Sequence, residues 1–279
     1  MLALRYQQTS ADLARLRTSD PSSPLVTRLN DLVAQGHGLL GQRPRHGSLR
    51  GVLAFLWVEY PALVGEIRRF VAAAALVEIA ISVIGFLWAW HDPASAASFL
   101  PTGLRDAGHR THPPLPAALM APDAVQIFVN NIYVSLMSLA GGVTLGALTA
   151  YSTYLNFMLL GVLSGVTNRQ GLDGEYWSLI LPHGVLELSA ITICAAAGLS
   201  LAAAVIHGTQ TPRATAIRRA GTRAAMIGVG TAPILVVAGT IEGFVTPSGL
   251  PIPVKLAVAP VSGLLLYAYL GRRGRRGAT

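Results

Sequence analysis

Apolar residues fall into six long blocks along the chain, at about 70–90, 126–147, 151–167, 184–206, 224–243 and 254–270. Each block is apolar all round rather than on one stripe. That pattern belongs to helices surrounded by lipid or by other helices, not to helices with one wet face. A helix that crosses a bilayer needs about 20 mostly apolar residues, which is the scale of these blocks. The first ends in Trp88 and Trp90, aromatics of the type that settle at a membrane surface. Pro233 is expected to kink the fifth, and Pro251 and Pro253 precede the sixth. The link between the second and third, Tyr151-Ser152-Thr153-Tyr154, carries no charge and is the weakest point in a count of six.

Polar stretches surround these blocks. Residues 1–50 read as a helical arm. Ser10 is a candidate cap for a helix carrying Leu13 and Leu16. A second helix is expected after Ser23-Pro24, with Val26, Leu29, Leu32 and Val33 at helical spacing and Arg28 and Asp31 on the other side. Gly41 to Gly47, with Pro44, reads as a linker. Residues 51–69 place Phe55, Leu56, Trp57 and Tyr60 beside Glu59, Glu66, Arg68 and Arg69, the mixture of an amphipathic helix lying in the headgroup region. The bundle then occupies 70–271, with a Pro-rich loop at 91–125 carrying His91, His109 and His112, and a basic tail at 272–279. The expected fold is all-α: a polytopic membrane helix bundle of about six transmembrane helices, with a short helical cytoplasmic N-terminal arm.

Charge orients this arrangement. Only 12% of the 279 residues are charged, against about 25% in an average soluble domain. The formal net charge is +8, and 17 of the 21 Lys and Arg lie in 1–69, 213–223 or the tail. Basic clusters between apolar blocks follow the positive-inside rule, so six spans put both termini on the cytoplasmic side. The same clustering, without interleaved aromatics, argues against nucleic acid as a partner. The lone Cys194 excludes an intramolecular disulfide and reads as a small core residue. The first 50 residues show no apolar signal-peptide core, so insertion is expected through the spans themselves.

Ionisable and amide side chains inside apolar blocks are the candidate chemistry, because they are expensive there. Pro182 suits the first turn of the fourth span, and His183 and Glu187, four apart, share a face one turn from each other. The pair is not a His-Glu-x-x-His motif, and two ligands do not make a metal site. Glu242 lies at the outer end of the fifth span, where Lys255 is a candidate ion-pair partner. Asn130 and Asn131 lie at the outer start of the second. Glu78 is a buried charge in mid-span, set apart in depth. A shared polar cluster of Asn130, Asn131, His183, Glu187 and Glu242 is therefore expected. No catalytic set, metal site or cofactor is expected. Ser178 and Ser189 lack a nucleophile-elbow signature. Gly142, Gly146 and Ala150, then Gly161 and Gly165, recur at four-residue spacing, which permits close helix packing and a homodimer.

Several of these pieces resemble the stage II sporulation protein M family. They are Asn130-Asn131-Ile132, Pro182-His183-Gly184 through Glu187-Leu188, Ala197-Gly198-Leu199, and Ile241-Glu242-Gly243-Phe244 through Pro247. The arm, with Asp12-Leu13-Ala14-Arg15 and Leu29-Asn30-Asp31-Leu32-Val33, is similar to that of longer members. The resemblance implies a multi-pass protein of the bacterial or archaeal cytoplasmic membrane that belongs to an envelope complex. In spore formers the family works with peptidoglycan-cleaving partners during engulfment. A more remote likeness is to six-span permease halves of ABC exporters.

Three functions follow as expectations. The first is a membrane scaffold or assembly component for cell-envelope remodelling, with membrane lipid and other envelope membrane proteins as partners. The second is a permease-like transport subunit with a cytoplasmic ATPase. The third, least favoured, is an intramembrane hydrolase using His183 with Glu187 or Glu242.

Overall fold

The computed structural model describes residues 2–20, 23–40, 49–101, 105, 124–206 and 213–272. The Gly41–Gly47 linker, His109 and His112 of the Pro-rich loop, and the tail beyond Arg272 lie outside the described residues. The described chain is all-α and divides into two compact units, Met1–Phe55 and Leu56–Thr279.

In the first unit, α1 (Leu2–Ser19) and α2 (Pro24–Leu40) pack against each other, and α3 (Leu49–Ala54) follows. Leu13 is buried, Leu16, Val26, Leu29 and Val33 are half-buried, and Arg17 Nη2 donates to Asn30 Oδ1 at 2.9 Å. Leu32 leaves the expected stripe and is exposed. Ser10 does not cap α1, which already begins at Leu2.

A π-type turn, Phe55–Glu59, carries the boundary between the units. In the second unit, α4 (Tyr60–Glu66) breaks at Ile67 (φ −100°, ψ 14°) before α5 (Arg68–His91). The segment expected as one helix over 51–69 is thus helical but twice interrupted. α6 (Pro93–Ala97) is capped by the Asp92 carboxylate, which accepts from the Ser95 backbone N–H at 3.1 Å. Then come α7 (Ala124–Ala140), a 3-10 turn at Gly141–Thr144, α8 (Ala147–Arg169), α9 (Asp173–Ile206), α10 (Arg213–Phe244) and α11 (Ile252–Leu270).

Among the described residues, five helices are long and apolar enough to cross a membrane: α5, α8, α9, α10 and α11. α7, where the second span was expected, is the short one at 17 residues, about 26 Å at the usual rise. α9 is the hub. It packs against α5, α7, α8, α10 and α11, and 72% of its most apolar window is buried, against 17% for α5 and 22% for α11. The poorly buried helices present aliphatic side chains such as Leu76, Ile84 and Leu264 outward, as lipid requires.

Three expectations are corrected. The chain reverses at Gly141–Gly146, not at Tyr151–Tyr154, which lies inside α8. Leu145 (φ 56°) and Gly146 (φ 88°) make the reversal through left-handed backbone, where glycine is free of the Cβ penalty. Pro182 is interior to α9 rather than in its first turn, because the helix starts nine residues earlier at Asp173, with Asp173 and Glu175 favoured at its N-terminus. A proline inside a packed membrane helix is tolerated because neighbours re-satisfy the freed backbone. Finally, Tyr60 is not a surface aromatic.

Tyr60 is fully buried, stacks on Tyr269, and its Oη lies 3.0 Å from Thr231 Oγ1 on α10. Burial pushes its phenol well above the usual range. A Cβ at Gly230 would strike the ring, so this glycine makes the tyrosine's seat. Tyr60→Ala is expected to cost about 3–5 kcal/mol, as for other buried aromatics. Tyr60→Phe should cost only about 1 kcal/mol, since Thr231 keeps its bond to the Ile227 carbonyl at 2.8 Å. Thermal unfolding in detergent checks both; equal midpoints for the alanine variant and the parent would show that α4 does not pin the bundle.

Candidate functional site

The two ends of the bundle differ chemically. At one end Arg223 Nη1 pairs with Glu66 at 3.6 Å, and the Arg272 guanidinium lies over the Trp57 ring at 4.9 Å. Toward the other end a polar cluster is buried between α7, α9 and α10. The i,i+4 spacing on α9 stacks His183 and Glu187 on one face, with His183 Nε2 3.8 Å from Glu187 Oε2. Asn131 of α7 donates from Nδ2 to the same Oε2 at 2.5 Å. His183 Nδ1 lies 3.2 Å from Thr246 Oγ1, just beyond α10. Asn131, His183 and Glu187 are 8%, 3% and 4% exposed, and Thr246 is half-buried.

Glu242 joins the cluster differently. It is buried and within Coulombic reach of Glu187, but neither carboxylate oxygen has a hydrogen-bond partner among the described residues. The expected ion pair with Lys255 is not formed: Lys255 Nζ donates instead to the Thr246 carbonyl at 2.7 Å. Carbonyls past a helix C-terminus lack helical partners and attract a cation, which explains the choice. Asn130 stands outside the cluster. It is exposed and lines a groove between α7 and α8, because adjacent positions on a helix do not share a face.

Glu78 of α5 is also buried and is not alone. Thr192 Oγ1 on α9 lies 2.5 Å from Glu78 Oε2 and 2.8 Å from the Leu188 carbonyl, with its single hydrogen shared between the two acceptors. Five residues separate Thr192 from Glu187, about 7.5 Å along the helix, so Glu78 marks a second polar level. Thr246 and Thr192 were not foreseen. A hydroxyl in a membrane helix can bond its own backbone, so its presence signals nothing. The one available hint is that Thr246 follows Glu242 by four residues.

The described residues contain no group of three His, Cys, Asp or Glu that could hold a metal ion. Ser178 and Ser189 are turned to the Glu175 and Val185 carbonyls at 2.8 and 2.6 Å, and His183 faces Thr246 instead.

The family model for Stage II sporulation protein M matches residues 73–247, more than half of the chain. The chain belongs to the stage II sporulation protein M family. The matched region contains Glu78, Asn130, Asn131, His183, Glu187 and Glu242, but not Lys255. A second model, described as a domain of unknown function, matches residues 1–42. An uncharacterized protein of Methanocaldococcus jannaschii is 37% identical over 76 residues, covering 27% of this chain and 43% of that relative. The matched stretch thus spans less than half the relative's length. No solved structure matches.

Proposed function

We propose that this stage II sporulation protein M family member is an integral-membrane scaffold, an assembly component of a cell-envelope (peptidoglycan) remodelling complex, with both termini on the cytoplasmic side. The observation that carries the reading is the Asn131–Glu187–His183–Thr246 network. It ties α7, α9 and the segment after α10 together through side chains of which Asn131, His183 and Glu187 are buried. The separate helical unit at residues 1–55 suits a docking role for partners. Affinity purification of the full chain in mild detergent tests this. Envelope membrane proteins should co-purify, and His183→Gln, which keeps a polar side chain toward Thr246, should retain them. Purification without any envelope partner would sink the scaffold reading.

The permease-like reading keeps one supporting observation: Glu187 Oε1 and both oxygens of Glu242 are buried without partners. Ionisable groups held this way inside membrane proteins often mark an ion or substrate path. It calls for a co-purifying cytoplasmic ATPase and loss of export in Glu242→Gln; export unchanged in that variant excludes it.

A further inference from the structure

We propose that the groove between α7 and α8 seats a second copy of this chain, with Asn130 and Asn156 pairing across the interface. The groove is lined by Asn130, Tyr133, Met137, Tyr151, Leu155 and Asn156, among others. Tyr133 and Tyr151 stand on it 58% and 61% exposed. Ser152, also in the groove, is already engaged, accepting from Ser138 at 3.3 Å and donating toward the Val134 carbonyl. The carboxamides of Asn130 and Asn156 have no hydrogen-bond partner among the described residues. The neighbouring Asn131 shows the contrast: turned inward, it finds Glu187.

Depth makes the two free amides informative. Asn130 neighbours Asn131, which sits level with Glu187 near the middle of the 34-residue α9. Asn156 is the tenth residue of the 23-residue α8. Neither amide therefore lies at a helix end; where lipid chains surround such mid-helix positions there is no donor or acceptor to meet them, and an unsatisfied polar group costs several kcal/mol. A transmembrane protein partner relieves that cost. The partner chemistry is set by the amide, which carries donor and acceptor together and is complementary to itself. A two-fold copy presents the same groove and the same two amides without importing an unpaired charge, and closed two-fold dimers are the commonest symmetric assembly. The rim tyrosines add rigid aromatic contact area.

Cysteine crosslinking of the full chain in native membranes tests the proposal. The one native cysteine, Cys194, is buried, so the parent chain is its own control. Asn130→Cys and Asn156→Cys are expressed alone, and also together as two separately tagged chains. Leu265→Cys on α11 and Val77→Cys on α5, both well exposed, serve as lipid-facing controls. A covalent dimer is expected in at least one combination under oxidation that leaves the controls monomeric. The Asn130→Leu, Asn156→Leu double variant keeps the bulk of each side chain and removes the amides. Its dimer dissociation constant in mild detergent should rise at least threefold, from about 0.6 kcal/mol per interhelical hydrogen bond. No crosslink above the controls, or a monomer in native mass spectrometry with lipid retained and unaffected by the leucine variant, overturns the proposal.

Discussion

Gly161→Val is expected to remove nearly all correctly folded protein. Gly161 of α8 meets α5 at Ser82, and a Cβ there would lie 2.9 Å from the Ser82 C and Cα, with the carbonyl oxygen closer still. The obstacle is backbone, which cannot swing aside as a side chain can. Ser82 Oγ holds the crossing from the other side, bonding the Phe157 carbonyl at 3.1 Å. Overpacking a core typically costs about 1–3 kcal/mol, and more when helices must separate. The same end of the crossing repeats the pattern at Gly165, where a Cβ would meet Phe86 and Ala89. Gly243→Ala is the contrast, since a Cβ there meets nothing within 4 Å. Its effect should stay within about 0.5 kcal/mol. Monodisperse yield and thermal midpoint in detergent read both variants. If Gly161→Val behaved like Gly243→Ala, the α5–α8 crossing would be wrong.

Those glycines also show what the sequence could and could not disclose. Gly161 and Gly165 were legible as packing positions because their spacing falls on one helix face. Gly142 and Gly146 have the same spacing, yet they belong to the reversal between α7 and α8. A reversal without charges looks like more span, and nothing in Leu145 announces a left-handed backbone. The ends of α5 and α11 fell within a residue or two of expectation, since arginines and tryptophans bound the one and Pro251 and Gly271 the other. α9 was foreseen as starting near Gly184, because Pro182 was given its usual place at a helix start; the tertiary packing of the hub overrides that habit. Of the candidate cluster, His183 and Glu187 were legible from i,i+4 spacing alone. Asn131 and Asn130 were not separable, because a pair of adjacent amides does not say which one faces inward. The absence of the Glu242–Lys255 pair was hidden for a different reason. Their separation crosses the Val245–Pro251 loop, whose carbonyls compete for the ammonium.

The Asn131–Glu187 contact offers the second large effect. Glu187→Ala removes the acceptor of Asn131 Nδ2 and leaves that amide buried and unsatisfied, while His183 keeps its contact with Thr246. Deleting one partner so that a buried polar group is left unsatisfied costs about 1–3 kcal/mol, and truncating a buried side chain adds a cavity term. Glu187→Gln should lose much less, because its amide oxygen can still accept from Asn131 Nδ2. That contrast separates hydrogen bonding from charge: if the carboxylate charge itself holds the bundle, glutamine will be as damaging as alanine. The direct pairwise term comes from a double-mutant cycle with Asn131→Ala, read as thermal or unfolding stability of the solubilised full chain. Interhelical hydrogen bonds measured this way average about 0.6 kcal/mol and reach about 1.7. A coupling near zero would mean that α7 is held to α9 by packing alone, at the crossing where a Cβ on Gly198 would meet the Ser138 carbonyl and one on Gly142 the Gly198 carbonyl. The polar network would then lose its role in holding the bundle together, and Glu187 and Glu242 would stand as groups kept for the permease-like reading instead.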